Sequence, residues 1–385
     1  MKVLLVLNTE NGILGASETF ISSHIGSFKP NIHTLVGNPG YRIVDQKKGN
    51  YLLSRHVLLL MFRWVLRLLK LTTVAEQDTV AVSRFIKSQK IDVVLAEYGP
   101  TAVSVLDACK NANVPLVAHF HGYDASRYSL LEEYVDKYKE LFNYASAVIG
   151  VSRLMCERLE AMGCDPEIIH HNACGAAVTK RNSSTQSKDA FSCVMVGRMT
   201  EKKAPFLSLL AFSEVARMHK GAHLDVLGGG QLFNACIQLV KGLGIESQVT
   251  FHGECEHELV FRKLREAECF IQHSVTAQDG DMEGTPVGVL EAMGMGLAVV
   301  STRHAGILDI IDEGRTGFLV DEYDWKEMAE ILSKLASDSD LVSSVGLRAS
   351  EAVLSQWTEG KSCSRLKQIL TGCLNNDDRQ LTGRG

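Results

Sequence analysis

A chain of 385 residues is too long for one typical domain and about right for two, each able to bury a full core. Its 45% apolar and 22% charged residues are those of an ordinary soluble globular protein, and a formal charge of -5 gives no general attraction to nucleic acid. Ten cysteines without a Cys-x-x-Cys pair read as free thiols in a reducing compartment, and no His/Cys cluster has zinc spacing.

Residues 2–7 are a continuous apolar run that stops at Asn8 with no small-residue cleavage site after it, so a buried strand is expected rather than a signal peptide. Residues 8–16 then form a glycine-bearing turn into a helix. Gly12 and Gly15 let the backbone approach a ligand there, and Gly15 is a candidate contact, although a plain strand-to-helix turn needs the same residues. Between 51 and 71, His56, Arg63, Arg67 and Lys70 fall on one helical stripe, with Leu58, Leu59, Met61, Phe62, Leu66 and Leu69 on the other faces. Such a basic amphipathic helix suits an anionic membrane surface and equally the outside of a globular domain. Its cations make it unfit to span a bilayer.

Strands at 91–96, 114–120 and 147–151 alternate with helices at 101–110 and 130–143, which predicts a parallel sheet. The polar, serine-rich run 179–190 breaks the pattern and is read as a linker. A second alternation follows, with strands at 192–196, 223–228, 249–252, 269–273, 298–301 and 317–320. Helices at 204–219, 233–243, 259–267, 286–294, 325–336 and 340–357 separate or follow them. The domains are therefore placed at 1–178 and 191–360. A last helix within 361–373 and a polar, disordered tail from 375 complete the expectation.

Ligands of open parallel sheets bind at the carboxyl ends of the strands. Arg198 and Lys203 follow one such end and are candidate phosphate clamps, one a planar fork and the other a mobile point charge. Thr285 and Pro286 read as N-cap and first residue of a helix whose free amides and dipole favour a phosphate or carboxylate. Glu283 precedes that helix and Glu291 lies inside it, so the two acids can address different parts of one ligand. A capped helix with solvated glutamates fits the spacing as well. His121, followed by glycine at a strand end, is read as a site residue, and His119 as a satisfied core or capping histidine. Gly228 and its neighbours end another strand and leave room for a flat ring, or simply make a turn. Asp279 and Asp281 offer carboxylates to a hard cation, but the nearby lysine and arginine already supply positive charge, and no metal is expected. No Gly-x-Gly-x-x-Gly lies between a strand and a helix, which argues against a dinucleotide enzyme.

The Glu-x7-Glu of Glu283 and Glu291, Arg198 and Lys203 after Val196-Gly197, and His121-Gly122-Tyr123-Asp124 occur together in order and spacing. So do Ser301-Thr302-Arg303-His304-Ala305-Gly306 and Gly317-Phe318-Leu319-Val320, with Ser17-Glu18-Thr19-Phe20 and Val151-Ser152 in the first half. The chain thereby resembles the retaining glycosyltransferases of family four, most of all those of exopolysaccharide and colanic-acid-type assembly. The second domain is covered nearly end to end and the first more thinly. The resemblance implies a GT-B α/β architecture, two Rossmann-like doubly wound domains facing a cleft. It implies a nucleotide sugar in the second domain, with Arg198 and Lys203 on the diphosphate and Glu291 on the ribose. Gly284, Thr285, Pro286, Val287, Gly288, Val289 and Leu290 would hold the sugar and β-phosphate through backbone groups. Glu283 would face the donor sugar, and His121 would lie near the reacting centre. Three departures stand out: Ala204 where the family usually has glycine, Gly175-Ala176-Ala177 for Gly-Val-Asp, and His273 where proline is frequent.

The expected activity is transfer of a hexose-type sugar, with retention and without metal, from a UDP- or GDP-sugar to a glycan. The acceptor is a free glycan or a polyprenyl-linked oligosaccharide, in the cytoplasm or at the inner face of the plasma membrane. A nucleotide-sugar epimerase and a catalytically inactive nucleotide-sugar-binding subunit are the rival readings.

Overall fold

The computed structural model describes residues 1–7, 19–37, 42–43, 57–178 and 191–382. The chain divides into two compact units, Met1–Asn172 with Ser362–Gly385 and Ala173–Lys361. The 179–190 stretch read as a linker lies outside the described residues, as do Gly12 and Gly15.

In the first unit, the strands are β1 (Val3–Leu7), β2 (Ile32–Val36), β3 (Arg42–Ile43), β4 (Val93–Glu97), β5 (Leu116–Phe120), β6 (Ala147–Gly150) and β7 (Ile169–His171). The helices between them are α1 (Thr19–Phe28), α2 (Val57–Leu68), α3 (Val74–Gln89), α4 (Gly99–Ala112), α5 (Tyr128–Tyr144) and α6 (Arg153–Ala161). The sheet order is β3-β2-β1-β4-β5-β6-β7. Every neighbouring pair is parallel except β2 and the two-residue β3. Strands β1, β4 and β5 are buried at all five positions, which is why they read as unbroken apolar runs.

Five elements, β2, β3, α3, α6 and β7, are additional to those expected from the pattern. For α3 the signal was present as Thr73-x-x-Glu76. The Glu76 amide donates to Thr73 Oγ1 at 3.2 Å, and the Thr73 amide donates to the Glu76 carboxylate at 2.6 Å. The Ile-His-His of β7, only half-buried, gives no apolar run to read.

The second unit holds β8 (Ser192–Val196), β9 (His223–Leu227), β10 (Val249–Gly253), β11 (Cys269–Ile271), β12 (Ala298–Thr302) and β13 (Phe318–Val320). Its helices are α7 (Pro205–Met218), α8 (Phe233–Leu243), α9 (His257–Glu266), α10 (Val287–Gly294), α11 (Trp325–Ser337) and α12 (Ser339–Gln356). The six strands run in the order β10-β9-β8-β11-β12-β13, all parallel. Two apolar clusters cover the sheet faces, one built around Leu209, Phe212 and Met328, the other around Phe270, Leu290 and Met293.

The final helix, α13 (Glu359–Thr382), continues through the polar segment expected to be a disordered tail. It crosses from the second unit into the first. There Leu366 and Leu370 are fully buried, Cys363 Sγ donates to the Ser23 carbonyl, and Arg365 Nε donates to Asn172 Oδ1 at 2.9 Å.

Each strand order reverses once. In the first unit the reversal falls between β1 and β4, and in the second between β8 and β11. The crevice beyond the carboxyl ends of such a strand pair is where open α/β sheets take ligands. Glu97 ends β4, Gly197 and Arg198 follow β8, and Gln272 follows β11.

Candidate functional site

In the second unit the predicted residues converge at this reversal. Lys203 folds across Gly197, its Cε 3.5 Å from where a Cβ on that glycine would stand. Its ammonium lies 3.1 Å from Glu283 Oε1 and donates to Gln272 Oε1 at 3.3 Å. Arg198 is exposed on the same loop and lines one depression with Gly197, Lys203 and Gln272. Burial alone would raise the Glu283 carboxyl, but the Lys203 and Lys202 ammoniums hold it below its usual range. Burial draws Lys203 down in turn, against the pull of Glu283.

The Glu283 loop is braced from behind. The Glu283 amide donates to His304 Nε2 at 3.2 Å, and His304 Nδ1 meets Glu322 Oε1 at 2.5 Å. The first contact makes Nε2 an acceptor, so Nδ1 carries the proton and donates to Glu322. Lys202 Nζ binds Asp281 Oδ1 at 3.0 Å, and Asp279 Oδ1 accepts the Asp281 amide at 3.0 Å. The acidic loop is thus already bonded to a lysine and to itself.

The helix after Glu283 starts one residue later than expected. Pro286 is the residue before the first turn of α10, and no side chain caps it. Thr285 does not act as N-cap, because its Oγ1 accepts the Cys174 amide at 3.2 Å, a hydrogen bond to the strand of chain entering the unit. Val289 and Leu290 are fully buried, and their amides both donate to the Pro286 carbonyl, at 3.0 and 3.3 Å. In the first turn of α10, the amides of Val287 and Gly288 have no acceptor inside the helix. Gly288 abuts the end of β8, since a Cβ there would lie 3.5 Å from the Val196 carbonyl oxygen. Gly284 is buried in the loop between Glu283 and Thr285. The positive end of α10 and the Arg198–Lys203 loop therefore adjoin, and an anion of diphosphate size can meet both.

Glu291 is buried on α10, with His257 Nε2 3.6 Å away. Burial, then the charge of Glu359, pushes its carboxyl up to about 7. Gly228 is fixed by its backbone. Its φ is +132°, and a Cβ there would collide with the Gly197 carbonyl, so the residue is needed for close approach of two loops. Ala204 has φ +34°, a left-handed conformation that explains why glycine is the usual residue at that point of the family pattern. His273 Nε2 accepts the Tyr323 amide at 2.9 Å, a hydrogen bond proline could not make.

In the first unit, the buried Asp124 carboxylate accepts the amides of His121 and Gly122 at 2.9 Å and that of Gly99 at 3.0 Å. This holds the turn that presents His121. The ring stacks on Phe20 at 4.4 Å between centroids, and its Nε2 lies 2.7 Å from Glu97 Oε2. Glu97, fully buried, was not singled out from the sequence; a lone acid closing the apolar run Val93-Val94-Leu95-Ala96 was the available signal. It also bonds His24 Nδ1 at 2.8 Å and stands 3.1 Å from His119 Nδ1. His119 is buried in the core of the unit, its Nδ1 beside the Glu97 carboxylate. One ligand atom each from His24, Glu97 and His119 lies within 4.8 Å of the others, a set able to hold a metal ion. Gly15 lies outside the described residues.

Two family models adjoin along the chain, glycosyltransferase family 4 over residues 44–177 and glycosyl transferases group 1 over 176–351. WcaL of Salmonella typhimurium, named for colanic acid biosynthesis, is 30% identical over 72% of this chain and 70% of its own length. AmsK of Erwinia amylovora, an amylovoran biosynthesis glycosyltransferase, is 33% identical over 66% of this chain and 63% of its own. Among solved structures, Anabaena HepE in complex with UDP and glucose superposes with a TM-score of 0.73 at 16% identity, covering 96% of this chain and 99% of HepE. The lipopolysaccharide outer core galactosyltransferase WaaB superposes at 0.68 with 18% identity, covering 97% and 99%. Identity at the level of WcaL over that span, and a fold shared end to end with HepE, leave one assignment: this chain belongs to the family-4 glycosyltransferases of GT-B fold.

Proposed function

We propose that the protein moves a hexose-type sugar, with retention of configuration, from a UDP- or GDP-sugar to a glycan acceptor in exopolysaccharide or cell-surface assembly. The observation that carries the reading is the junction of the α10 N-terminus with the Lys203–Glu283 ion pair and Arg198, all at the strand-order reversal of the second unit. A nucleoside diphosphate is the leaving group such a place stabilises. Two organic cations and two free amides meet the charge that develops on its phosphates, so the transfer runs without metal. Glu291 holds the ribose hydroxyls, and Glu283, ionised and fixed through His304, faces the donor sugar. The departing phosphate takes the acceptor's proton on the face of attack, and the first unit supplies His121 to the reaction. The complexes of HepE with UDP-glucose support a nucleotide-sugar donor, and the names of WcaL and AmsK support an exopolysaccharide setting.

The acceptor is a lipid-linked oligosaccharide at the inner face of the plasma membrane. No helix among the described residues is long and apolar enough to cross a membrane. Around α2, however, Met61, Trp64, Val65, Leu68 and Leu69 are all exposed, with Trp64 57% accessible and Arg67 and Lys70 beside them. An exposed tryptophan-bearing apolar row flanked by cations suits an anionic interface.

The test is a screen of UDP-, GDP- and ADP-sugars for binding and slow hydrolysis with EDTA present, on the wild type and on Arg198→Ala, Lys203→Ala and Glu291→Ala. One donor turned over without metal, and at least about 100-fold less in Lys203→Ala, is the expected result. Conversion of the donor to another nucleotide sugar without acceptor would favour an epimerase. Binding without turnover would favour an inactive subunit, and binding that survives all three changes would sink the reading.

A further inference from the structure

Resting on the reading of Lys203 as a phosphate clamp, we propose that Gln272 is its positioning residue, the amide oxygen holding the ammonium beside Glu283 with one N–H left for the diphosphate of the donor. Gln272 follows β11 at the strand-order reversal and is almost fully buried. Its backbone is pinned to β12: the amide donates to the Val300 carbonyl at 3.1 Å, and the carbonyl accepts Ser301 Oγ at 2.8 Å. Three residues on, the Val275 amide donates to the Lys202 carbonyl at 2.9 Å, which ties this segment to the loop that carries Lys203. Lysine and glutamine therefore project from backbones held to one another, a rigid mount for placing a side chain.

The orientation of the amide follows from what each neighbour can do. A lysine ammonium only donates, so the atom 3.3 Å from Lys203 Nζ is the oxygen, and the nitrogen donates to Ser274 Oγ at 2.8 Å. Ser274 is fully buried, and its carbonyl accepts Thr302 Oγ1 at 2.6 Å, so the serine is itself held.

An ammonium carries three N–H donors. Among the described residues, two side-chain oxygens stand beside that of Lys203, Gln272 Oε1 at 3.3 Å and Glu283 Oε1 at 3.1 Å. They come from different segments, so together they fix the turn of the head group about its last bond and leave the third N–H for an anion. Lys203 and Gln272 line one depression with Gly197 and Arg198, the stretch that would meet the diphosphate. Without the amide, the ammonium would be drawn to Glu283 alone. An uncharged acceptor orients the ammonium and leaves its charge intact, whereas a second carboxylate would cancel it.

The test is a double-mutant cycle between Gln272→Met and Lys203→Met, read by calorimetric titration with UDP and with GDP and by NMR titration with uridine and guanosine, which carry no phosphate. Gln272→Met keeps the length of the side chain and removes the amide. In otherwise wild-type protein it should weaken the nucleoside diphosphate about 10-fold, the loss of one hydrogen bond to a charged group, and leave the nucleoside within about 2-fold. On the Lys203→Met background it should weaken the diphosphate no further. An equal loss on both backgrounds would mean that Gln272 meets the ligand itself, and an equal loss for nucleoside and diphosphate that its part is only structural; either overturns the proposal. The same cycle with Ser274→Ala, which loosens the amide instead of removing it, should show coupling of about 3-fold, and it decides the question if Gln272→Met does not fold. Wild-type diphosphate binding in Gln272→Met beside a weakened Lys203→Met would end the proposal and leave the transferase reading standing. A wild type that binds neither UDP nor GDP would remove that reading, and the proposal with it.

Discussion

At the scale of single residues, the acids of the second unit are separated by their surroundings rather than by their chemistry. Glu283 has ammoniums beside it and is held ionised, whereas burial, and then the charge of Glu359, pushes Glu291 up to about 7. Since an ionised Glu291 accepts ribose hydroxyls better than a protonated one, affinity for a nucleotide sugar should rise with pH between about 6 and 8. The stability of the unliganded protein should move the other way. The folded state binds the Glu291 proton more tightly than the unfolded chain, so this contribution is complete below 4.5 and is lost as pH rises through about 7. Titrations of Kd and Tm on wild type and Glu291→Gln check both signs, and the variant should flatten each curve. The sequence showed both glutamates and their spacing. It did not show which would be paired, because Lys203 and Glu283 are brought together only by adjoining strand ends.

At the scale of elements, the strand-end loops are set by backbone approach. Gly228, at φ +132° and against the Gly197 carbonyl, ties the loop after β9 to the one carrying Arg198. Gly228→Ala should cost at least about 2 kcal/mol, from the left-handed backbone and the clash together. It should also weaken donor binding, read by calorimetry alongside a Tm scan, because the Arg198 loop moves with it. The elements most legible in the sequence were those with unbroken apolar runs or clear caps. Strand β8 and helix α8 fall where the pattern put them. The start of α10 was misread because the Thr285 hydroxyl, an apt cap by composition, is taken by the amide of Cys174, distant in sequence.

At the scale of the whole molecule, the chain leaves the first unit at Asn172 and returns to it after Lys361. Helix α13 is therefore part of the first unit's core although it comes last. Ending the chain at Lys361 would remove Leu366 and Leu370, both fully buried, along with the buried Cys363 and Cys373. The loss should be about 4 kcal/mol from the two leucines alone. Scanning calorimetry should show a lower transition for the first unit and an unshifted one for the second. An unchanged profile would mean the helix adds nothing to that core.

The sequence by itself determined two α/β units, the strands of the second, and the candidate residues at its strand ends. Those features rest on local signals: runs of apolar side chains, proline and glycine at turns, and charged residues at fixed offsets from strand ends. Tertiary structure alone decided the partners. Glu97, His24, His119 and His121 meet because α1, β4 and β5 come together in one unit, and Lys203 meets Glu283 across β8 and β11. Whether a buried ionisable group is charged depends on what stands within a few ångströms of it, and a linear pattern does not encode that distance.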